Sequence, residues 1–292
     1  MKLIAVDLDG TLLNADSRIS EVNASAVRKA QESGLTVAIA TGRAVYDVQE
    51  KLRESGLNAP VISANGAVVH DDQKHLLTSC PMDRSQAFSV LAWLEENEFY
   101  YEIMTDQAIY SPQKGHQILT IEMDRVLSAN PDVTLKELIY ATEKQYSQAG
   151  IVRIASYEHI PQEAEIYNIL AFSLEEHKLE KGRSRFRNDS SLTMVVSSDH
   201  NFEVEDTRAS KGNALSYLAN HLGIPLEETV AIGDSYNDIS MLTSAGKGIA
   251  MGNAHDEIKA LCDEVTLTNI ENGVAHAIER LLKEASPSPS NP

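Results

Sequence analysis

The chain has 292 residues and a formal net charge of −18 at neutral pH, with 42% hydrophobic and 23% charged residues. This length predicts two globular units, and the ordinary composition argues against disorder over most of the chain. The negative charge would repel nucleic acids and anionic membranes, so neither is expected as a partner, although a local cation can still admit a small anion.

Cysteine usage and hydropathy indicate the compartment. Cys80 and Cys262 show no Cys-x-x-Cys spacing, which predicts two reduced thiols rather than a disulfide or a metal pair. The apolar run Leu3–Val6 is too short for a secretory segment, and no apolar stretch approaches the ~20 residues of a membrane span. We therefore expect a soluble, cytoplasmic protein, and no protein partner is implied.

The first eighty residues alternate short apolar runs with helical patterns. Strands are expected at Leu3–Val6, Val37–Ala40 and Val61–Ile62, and helices at Ser20–Ser33 and Val45–Ser55. This βαβαβ order is typical of a parallel sheet with crossover helices.

The pattern changes between residues 84 and 198, where strand-like pieces such as Phe99–Met104, Ile169–Ser173 and Thr193–Val196 mix with helical ones. The alternating order then returns, with strands at Val230–Ile232 and Gly248–Ala250. We predict a discontinuous core formed by residues 1–83 and 199–282, an inserted domain at 84–198, and a flexible tail at 283–292. The tail assignment depends on its serine and proline spacing, which prevents packing.

Three predicted strands of the core end in polar clusters. Asp7 and Asp9 follow the first, Thr41 follows the second, and the segment Gly233–Asp238 follows the strand at Val230–Ile232. The carboxyl ends of parallel strands meet at one edge of a sheet, where open α/β folds bind ligands. Turn formation alone could explain the first cluster. Three such clusters at one edge favour a functional site.

Lys211 is expected in the first turn of a helix capped by Ser210. A cation is unfavourable there because of the helix dipole, whereas a bound phosphate would interact favourably with both the helix end and the ammonium. From this position alone, an exposed lysine that tolerates a small penalty is the preferred interpretation. Its conflict with the dipole is nevertheless a feature of functional sites.

Other sequence features have simpler interpretations. The basic run from Lys178 to Arg187 is interpreted as a solvated face, and Asn65-Gly66, at the same sheet edge as the polar clusters, as a loop that faces the substrate. The nine histidines lack the spacing of a zinc site, and neither glycine-rich nucleotide-binding motif occurs. Zinc-dependent, nucleotide-powered and dinucleotide-dependent functions are therefore not expected.

Four motifs together resemble those of the haloacid dehalogenase superfamily of phosphohydrolases, and more closely its Cof-type branch with a IIB-type cap. The motifs, in family order and spacing over about residues 1–282, are Asp7-Leu-Asp-Gly-Thr-Leu-Leu, Thr41-Gly-Arg, Ser210-Lys-Gly and Gly233-Asp-Ser-Tyr-Asn-Asp238. The resemblance implies an α/β fold with a Rossmann-like parallel-sheet core and an inserted α+β cap. The cap would close over the site and determine specificity.

The resemblance also implies a role for each motif residue. Asp7 would be the nucleophile that carries an aspartyl-phosphate, and Asp9 would be the acid–base group. The phosphate would be bound by Leu8, Thr41, Gly42, Lys211 and Asn237, and the metal by Asp7, Asp9, Asp234 and Ser235, with Asp238 orienting the metal ligands. Ser235 replaces an Asn of many relatives, which leaves the ligand at that position open. Clustered carboxylates need a hard divalent cation, and we expect Mg²⁺.

The expected function is Mg²⁺-dependent hydrolysis of a small phosphorylated metabolite. Candidate substrates are sugar phosphates, nucleotides, flavin or pyridoxal phosphates, and the phosphorylated pyrimidine intermediate of riboflavin synthesis. Asp9 argues against a dehalogenase, because a departing halide needs no proton. Two alternatives remain open: a sugar phosphomutase with the same intermediate, and a non-catalytic metabolite sensor, for which Asp7 and Asp9 together would be unnecessary.

Overall fold

The computed structural model describes residues 1–129 and 150–285, together with Lys136, Leu138, Ile139 and Thr142. The strands are β1 Leu3–Val6, β2 Thr36–Ala40, β3 Val61–Ser63, β4 Val68–His70, β5 Leu76–Ser79, β6 Tyr100–Thr105, β7 Ile109–Pro112, β8 Ile151–Ile154, β9 Ile166–Phe172, β10 Leu192–Val195, β11 Asn201–Asp206, β12 Thr229–Gly233, β13 Lys247–Ala250 and β14 Glu264–Val265. The helices are α1 Glu21–Glu32, α2 Val45–Glu54, α3 Arg84–Glu96, α4 Gly115–Ala129, α5 Glu176–Phe186, α6 Lys211–His221, α7 Ile239–Ser244, α8 Asp256–Lys259 and α9 Gly273–Ala285.

The chain divides into two compact units. Unit 1 comprises Met1–Ser79 and the chain from Arg208 onward, and unit 2 comprises Cys80–Thr207. Unit 2 extends beyond the predicted 84–198 at both ends, and its last strand, β11, pairs with β9 and β10. Of the predicted tail at 283–292, residues 283–285 belong to α9, and residues 286–292 lie outside the described residues.

Unit 1 contains an eight-stranded sheet in the order β14-β13-β12-β1-β2-β3-β4-β5. The strands from β14 to β3 are parallel, and β4 and β5 extend the sheet as antiparallel strands. The late strand β12 pairs with the whole of β1, from Leu3 opposite Thr229 to Val6 opposite Ile232. Both halves of the discontinuous core therefore contribute to one sheet.

Helices cover both faces of this sheet, which explains why its central strands are continuously apolar. On one face, Ile4 and Val6 pack with residues of α1, α2 and α9. On the other face, Leu3 and Ala5 pack with residues of α6, α7 and α8. Each fully buried aliphatic side chain contributes roughly 1.5–3 kcal/mol of transfer free energy, so β1 is firmly anchored just before Asp7.

Local hydrogen bonds fix the first and last helices to each other. The Ser20 hydroxyl accepts from the Asn23 N–H at 3.1 Å, which caps α1 as predicted. The fully buried Asn23 side chain donates to the Leu12 carbonyl at 3.2 Å and accepts from the Ala275 N–H in α9 at 3.0 Å. The turn after Asp7 is thereby tied to both helices.

Unit 2 contains a six-stranded sheet in the order β10-β11-β9-β6-β7-β8. All pairings are antiparallel except that of β7 with β8. An aromatic cluster on one face joins the sheet to α3 and α5, with Phe99 and Phe202 in edge contact at 5.7 Å between ring centroids. The predicted strand-like pieces of this segment correspond to β6, β9 and β10.

The expectation that the basic run forms a solvated face is wrong for one of its residues. Lys178 does not lie on a solvated face: its side chain is only 11% exposed, and its ammonium contacts the buried Glu122 carboxylate at 2.6 Å. The same ammonium lies 4.7 Å from the centroid of the Phe99 ring. The basic run therefore includes a partly buried ion pair whose ammonium also lies over an aromatic ring.

No helix in the described ranges combines the length and the hydrophobicity that a membrane-spanning segment requires.

Candidate active site

Asp7 follows β1 at the carboxyl edge of the sheet, and a tight turn, Leu8–Leu12, comes next. The Asp7 N–H donates to the Ile232 carbonyl of β12 at 2.9 Å, which continues the sheet pairing to this point. Gly10 in the turn has φ +74°, and a Cβ there would lie 2.4 Å from Oδ2 of Asp234. A glycine is therefore needed for the turn to approach Asp234 so closely.

Lys211 forms the centre of a buried ion cluster. Its ammonium lies 2.6 Å from Oδ1 of Asp7 and 2.6 Å from Oδ1 of Asp238. Lys211 is fully buried, so the exposed-lysine alternative is excluded. Among the described residues, no donor contacts the second oxygen of Asp7, Oδ2. The lysine thus fixes one oxygen of Asp7 and leaves the other without a hydrogen bond from this part of the chain.

Asp238 connects this lysine to the loop after β12. Its second oxygen, Oδ2, accepts from the N–H groups of Asp234 and Ser235, both at 2.9 Å. The Ser235 hydroxyl accepts in turn from the Asp238 backbone in a reciprocal cap. Both oxygens of Asp238 are therefore engaged, which suits a residue that orients its neighbours better than one that binds a metal directly.

The electrostatics of the cluster reflect an excess of buried negative charge. Burial raises the pKa of Asp7 well above its usual value, repulsion from Asp238 adds to this, and the contact with Lys211 opposes it. Burial by itself lowers the pKa of Lys211, but attraction to Asp238 and Asp7 outweighs it, so the net change is upward. Burial also raises the pKa of Asp234 to about 6, although a 2.6 Å hydrogen bond from the Thr11 hydroxyl lowers this pKa.

The same carboxylates fit a divalent metal. Asp7, Asp234 and Asp238 each offer an oxygen, and these atoms lie within 4.8 Å of one another. A single ammonium cannot neutralise three carboxylates, and the raised pKa values of Asp7 and Asp234 are the physical sign of that deficit. A hard cation with oxygen ligands would relieve it. Since both oxygens of Asp238 are engaged, Asp7 and Asp234 are the better ligands.

Three of the predicted phosphate-binding residues, Thr41, Gly42 and Asn237, lie beside Asn65. The Asn237 amide donates to Oδ1 of Asn65 at 3.1 Å, and a Cβ on Gly42 would lie 2.9 Å from the same oxygen. Oδ1 of Asn237 is buried and has no hydrogen-bond partner among the residues that the structure describes. Thr41 is almost fully buried, with its hydroxyl accepting from the Arg43 N–H at 3.2 Å. Motif residues from separate strands are therefore held at one edge.

Two predicted residues occupy less direct positions. The Leu8 side chain belongs to the apolar core, so only the backbone of Leu8 is available to a ligand. The Asp9 side chain is 53% exposed, and both of its oxygens accept from the Arg43 guanidinium at 2.7 and 2.8 Å. Asp9 is therefore oriented by Arg43, whereas Asp7 is oriented by Lys211.

Besides Thr11, sequence reasoning gave no role to Arg43 and Asn253, which also contact this site. Arg43 lies inside the quoted Thr41-Gly-Arg motif, but only the first two positions received a role. Asn253 follows β13 at the same sheet edge, and its amide donates to the Gly10 carbonyl at 2.9 Å and to Asp234 at 3.4 Å. The strand-end rule that found Asp7 and Asp234 also applies to β13, so Asn253 could have been found from the sequence.

Comparison with known proteins gives a consistent result. A family model described as haloacid dehalogenase-like hydrolase matches residues 4–278. The chain is 50% identical to Phosphatase YwpJ of Bacillus subtilis over 97% of this chain and 100% of that protein. It is 39% identical to 5-amino-6-(5-phospho-D-ribitylamino)uracil phosphatase YwtE of the same organism, over 97% and 98% of the two chains.

Solved structures show the same likeness. A haloacid dehalogenase-like hydrolase from B. subtilis matches with a TM-score of 0.85 at 49% identity, covering 96% of this chain and 100% of that one. A subclass IIB sugar phosphatase matches with a TM-score of 0.75, covering 96% and 99%. At 24% identity this second likeness concerns the fold alone.

Proposed function

Because this chain belongs to the haloacid dehalogenase-like hydrolase family, we propose that it is a Mg²⁺-dependent phosphatase acting through an aspartyl-phosphate on Asp7. Membership confirms the family predicted from the four motifs, and the α/β fold with its parallel sheet confirms the predicted fold class. The protein is a phosphatase, as both named relatives are, and the name of the second relative gives a small phosphorylated metabolite as its substrate. The metal, the residue roles and the substrate belong to the proposal.

One observation carries the proposal: Asp7 is buried, one of its oxygens is held by Lys211, and its other oxygen receives no hydrogen bond from the described residues. Such an oxygen can attack the phosphorus of a phosphate ester. The P–O bond to the alcohol then breaks, and Asp9 protonates the departing alkoxide. Lys211 stabilises the negative charge of the transferring group because it is desolvated and already in place.

The second half of the reaction regenerates the enzyme. A water oxygen attacks the phosphorus, the bond to Asp7 breaks, Asp9 accepts the proton of the water, and inorganic phosphate leaves. Mg²⁺, bound by Asp7, Asp234 and the loop at Ser235, would supply positive charge that neutralises the carboxylates and the phosphoryl oxygens. The Asp9 carbonyl would complete its ligands, and Asn237 with the Thr41-Gly42 backbone would position the phosphate.

The substrate proposal starts from the relative that is 39% identical and bears a substrate name. We propose that the natural substrate is a phosphate monoester on a small polar metabolite, with phosphorylated ribitylamino-pyrimidines tested first, followed by sugar, pyridoxal and flavin phosphates. No observation favours the phosphomutase or sensor alternatives. A cytoplasmic location remains a prediction.

The test is phosphate release from this panel by the purified protein with and without Mg²⁺. Asp7→Asn should fold and release no phosphate, because an amide has the shape of the carboxylate but is not an anionic nucleophile. Asp16→Asn, an exposed turn residue, is the matched control and should keep full activity. Full activity of a folded Asp7→Asn protein would exclude the covalent mechanism, and release of an isomerised sugar phosphate instead of free phosphate would favour the mutase.

A further inference from the structure

The loop after β3 has a backbone that side chains rarely adopt. Three consecutive residues, Ala64, Asn65 and Gly66, have positive φ values of 48°, 51° and 102°. A residue with a Cβ in this left-handed region costs about 1–2 kcal/mol, although asparagine tolerates it better than alanine. Such a segment persists only where its surroundings hold it in place. The contacts of this loop therefore account for its conformation.

Backbone contacts connect the loop to two of the four motifs. The Asn65 N–H donates to the Thr41 carbonyl at 3.0 Å. A Cβ on Gly66 would lie 2.2 Å from the Ser210 carbonyl oxygen at the start of α6. The loop therefore contacts both the Thr41-Gly-Arg motif and the Ser210-Lys-Gly motif, and it holds the Asn65 side chain in the interior, where the residue is only 2% exposed.

The Asn65 side chain contacts a third motif. Its Oδ1 accepts from Nδ2 of Asn237 at 3.1 Å. Among the described residues, this is the one hydrogen bond of the Asn237 side chain, whose own oxygen is buried without a partner. In the opposite orientation of the Asn237 amide, two carbonyl oxygens would face each other and repel. The acceptor on Asn65 therefore determines the orientation of the Asn237 amide.

We propose that Asn65 is a positioning residue that orients the Asn237 amide for the phosphoryl group of the substrate. This inference depends on the proposed phosphatase function and on the phosphate-binding role proposed for Asn237. A primary amide has two N–H donors, and Asn65 accepts from one of them, so the second can donate to a phosphoryl oxygen. If the amide turned over, its oxygen would take the place of the nitrogen and would repel the anion. Asn65 prevents this, and so acts through Asn237.

Asn65→Gly separates the role of the side chain from that of the backbone, because glycine adopts a positive φ without strain. We expect this variant to fold and to lower kcat/KM for p-nitrophenyl phosphate by about 10- to 100-fold, since a small misplacement of a binding group has effects of this size. Inorganic phosphate, measured as a competitive inhibitor, should also bind more weakly. A purely structural residue would change the free energy of unfolding in urea without a selective loss of phosphate binding.

A double-mutant cycle tests whether Asn65 acts through Asn237. Asn237→Ala removes the amide that Asn65 orients, so Asn65→Gly in that background should have little further effect on kcat/KM. Asn65→Ala is a second variant without the acceptor, and alanine already has a positive φ at position 64. It should behave like Asn65→Gly, and it keeps the test decisive if the glycine variant does not fold.

Asn272→Gly is the matched control. Asn272 also has a positive φ, of 60°, and its Oδ1 also accepts a side-chain hydrogen bond, from the Ser20 hydroxyl at 2.6 Å. It belongs to none of the four motifs. Its replacement by glycine removes the same side chain from the same kind of backbone, and it should leave both kcat/KM and inhibition by phosphate unchanged.

The outcomes are distinguishable. Losses of kcat/KM and of phosphate binding in Asn65→Gly that disappear in the Asn237→Ala background support the inference. Unchanged phosphate binding, or effects of the two substitutions that simply add, overturns it while the phosphatase function stands. If the wild-type protein releases no phosphate from the panel in the presence of Mg²⁺, the proposed function fails and the inference fails with it.

Discussion

At the scale of single residues, Lys211 shows what the buried cluster demands of the protein. An ammonium with no exposed surface contacts two carboxylates, and each of these is also almost fully buried. Removal of the cation would leave both carboxylates in an apolar environment with their charges uncompensated. Lys211 is therefore required for the stability of unit 1 as well as for the proposed chemistry.

We expect Lys211→Met to lower the free energy of unfolding by about 3–5 kcal/mol at neutral pH, as measured by urea denaturation. Lys2→Met, which removes an exposed ion pair with Glu228 at 2.9 Å, should cost less than about 1 kcal/mol. Equal effects of the two substitutions would contradict the assignment of Lys211 to a buried, structurally required pair.

Asp234 gives a prediction about pH. Its pKa in the folded protein is about 6, above the usual value of 3.8, so the folded state binds a proton more readily than the unfolded chain does. Without metal, this contribution to stability is present at low pH and is lost as the pH rises towards 6 and beyond. Asp234→Asn removes the cost of burying a negative charge at this position. It should therefore stabilise the metal-free protein by on the order of 2 kcal/mol at pH 7.

In the presence of Mg²⁺, the wild-type protein should instead be more stable than Asp234→Asn. A cation that binds only the folded state raises its stability by mass action, and Asp234→Asn replaces an anionic ligand by a neutral amide that binds the cation more weakly. We expect Mg²⁺ to raise the Tm of the wild-type protein clearly more than that of the variant, in thermal melts that require no substrate. An equal shift for both proteins would argue against a metal site at Asp234.

The sequence could identify these residues but not all of their contacts. Asp7, Lys211 and Asp234 were predicted because strand ends and motif spacing depend on local order in the chain. The pairing of Asp9 with Arg43 depends on the side-chain directions of two separate turns, which no periodicity encodes. For the same reason, the sequence could not show that Lys211 is fully buried or that both oxygens of Asp238 are engaged.

At the scale of elements, the central strands and long helices of unit 1 begin and end within a few residues of their predicted bounds. Their apolar runs and capping residues are strong local signals, as at Ser20 and Ser210. β4 and β5 were not predicted, because strands of three and four residues are too short for a clear pattern. β4 runs antiparallel to β3 because of the turn at Ala64–Gly66, and β5 runs antiparallel to β4 because of a second turn at Asp71–His75.

Gly66 at that turn provides a test of how closely two elements approach. Its φ is +102°, and a Cβ would lie 2.2 Å from the carbonyl oxygen of Ser210 at the start of α6. Gly66→Ala should therefore cost more than backbone strain alone, roughly 3 kcal/mol or more. Gly34→Ala is the matched control, because Gly34 has φ +84° with open space around it, and it should cost about 1 kcal/mol. Urea denaturation of both variants measures the difference.

At the scale of the whole molecule, all four sequence motifs lie in unit 1. Unit 2, an antiparallel sheet with its own aromatic core, contributes none of their residues. We propose that unit 2 determines specificity, as the resemblance implied. The two-unit organisation was accessible from the change in pattern near residue 84, whereas the limit at Thr207 depends on the pairing of β11 with β9, which requires the folded sheet.

Replacement of residues 80–207 by the corresponding segment of a relative with a different preferred substrate should change the ranking of kcat/KM across the phosphate panel. The requirement for Asp7 should remain, because the motifs are untouched. If a folded, active chimera kept the parent's ranking, specificity would be determined in unit 1 instead, by loops such as Asn65-Gly66. The control is the parent protein with its own residues 80–207, prepared and assayed in the same way.

The position of β12 beside β1 also determines when the site can form during translation. β1 is synthesised first, but the strand that pairs along its whole length, β12, begins only at Thr229. Lys211 follows Asp7 by 204 positions. Unit 2 is contiguous and leaves the ribosome complete before α6 does. The nascent chain therefore carries Asp7, the proposed nucleophile, early without the lysine that contacts it, and a chain that stops before Lys211 cannot assemble the buried ion cluster.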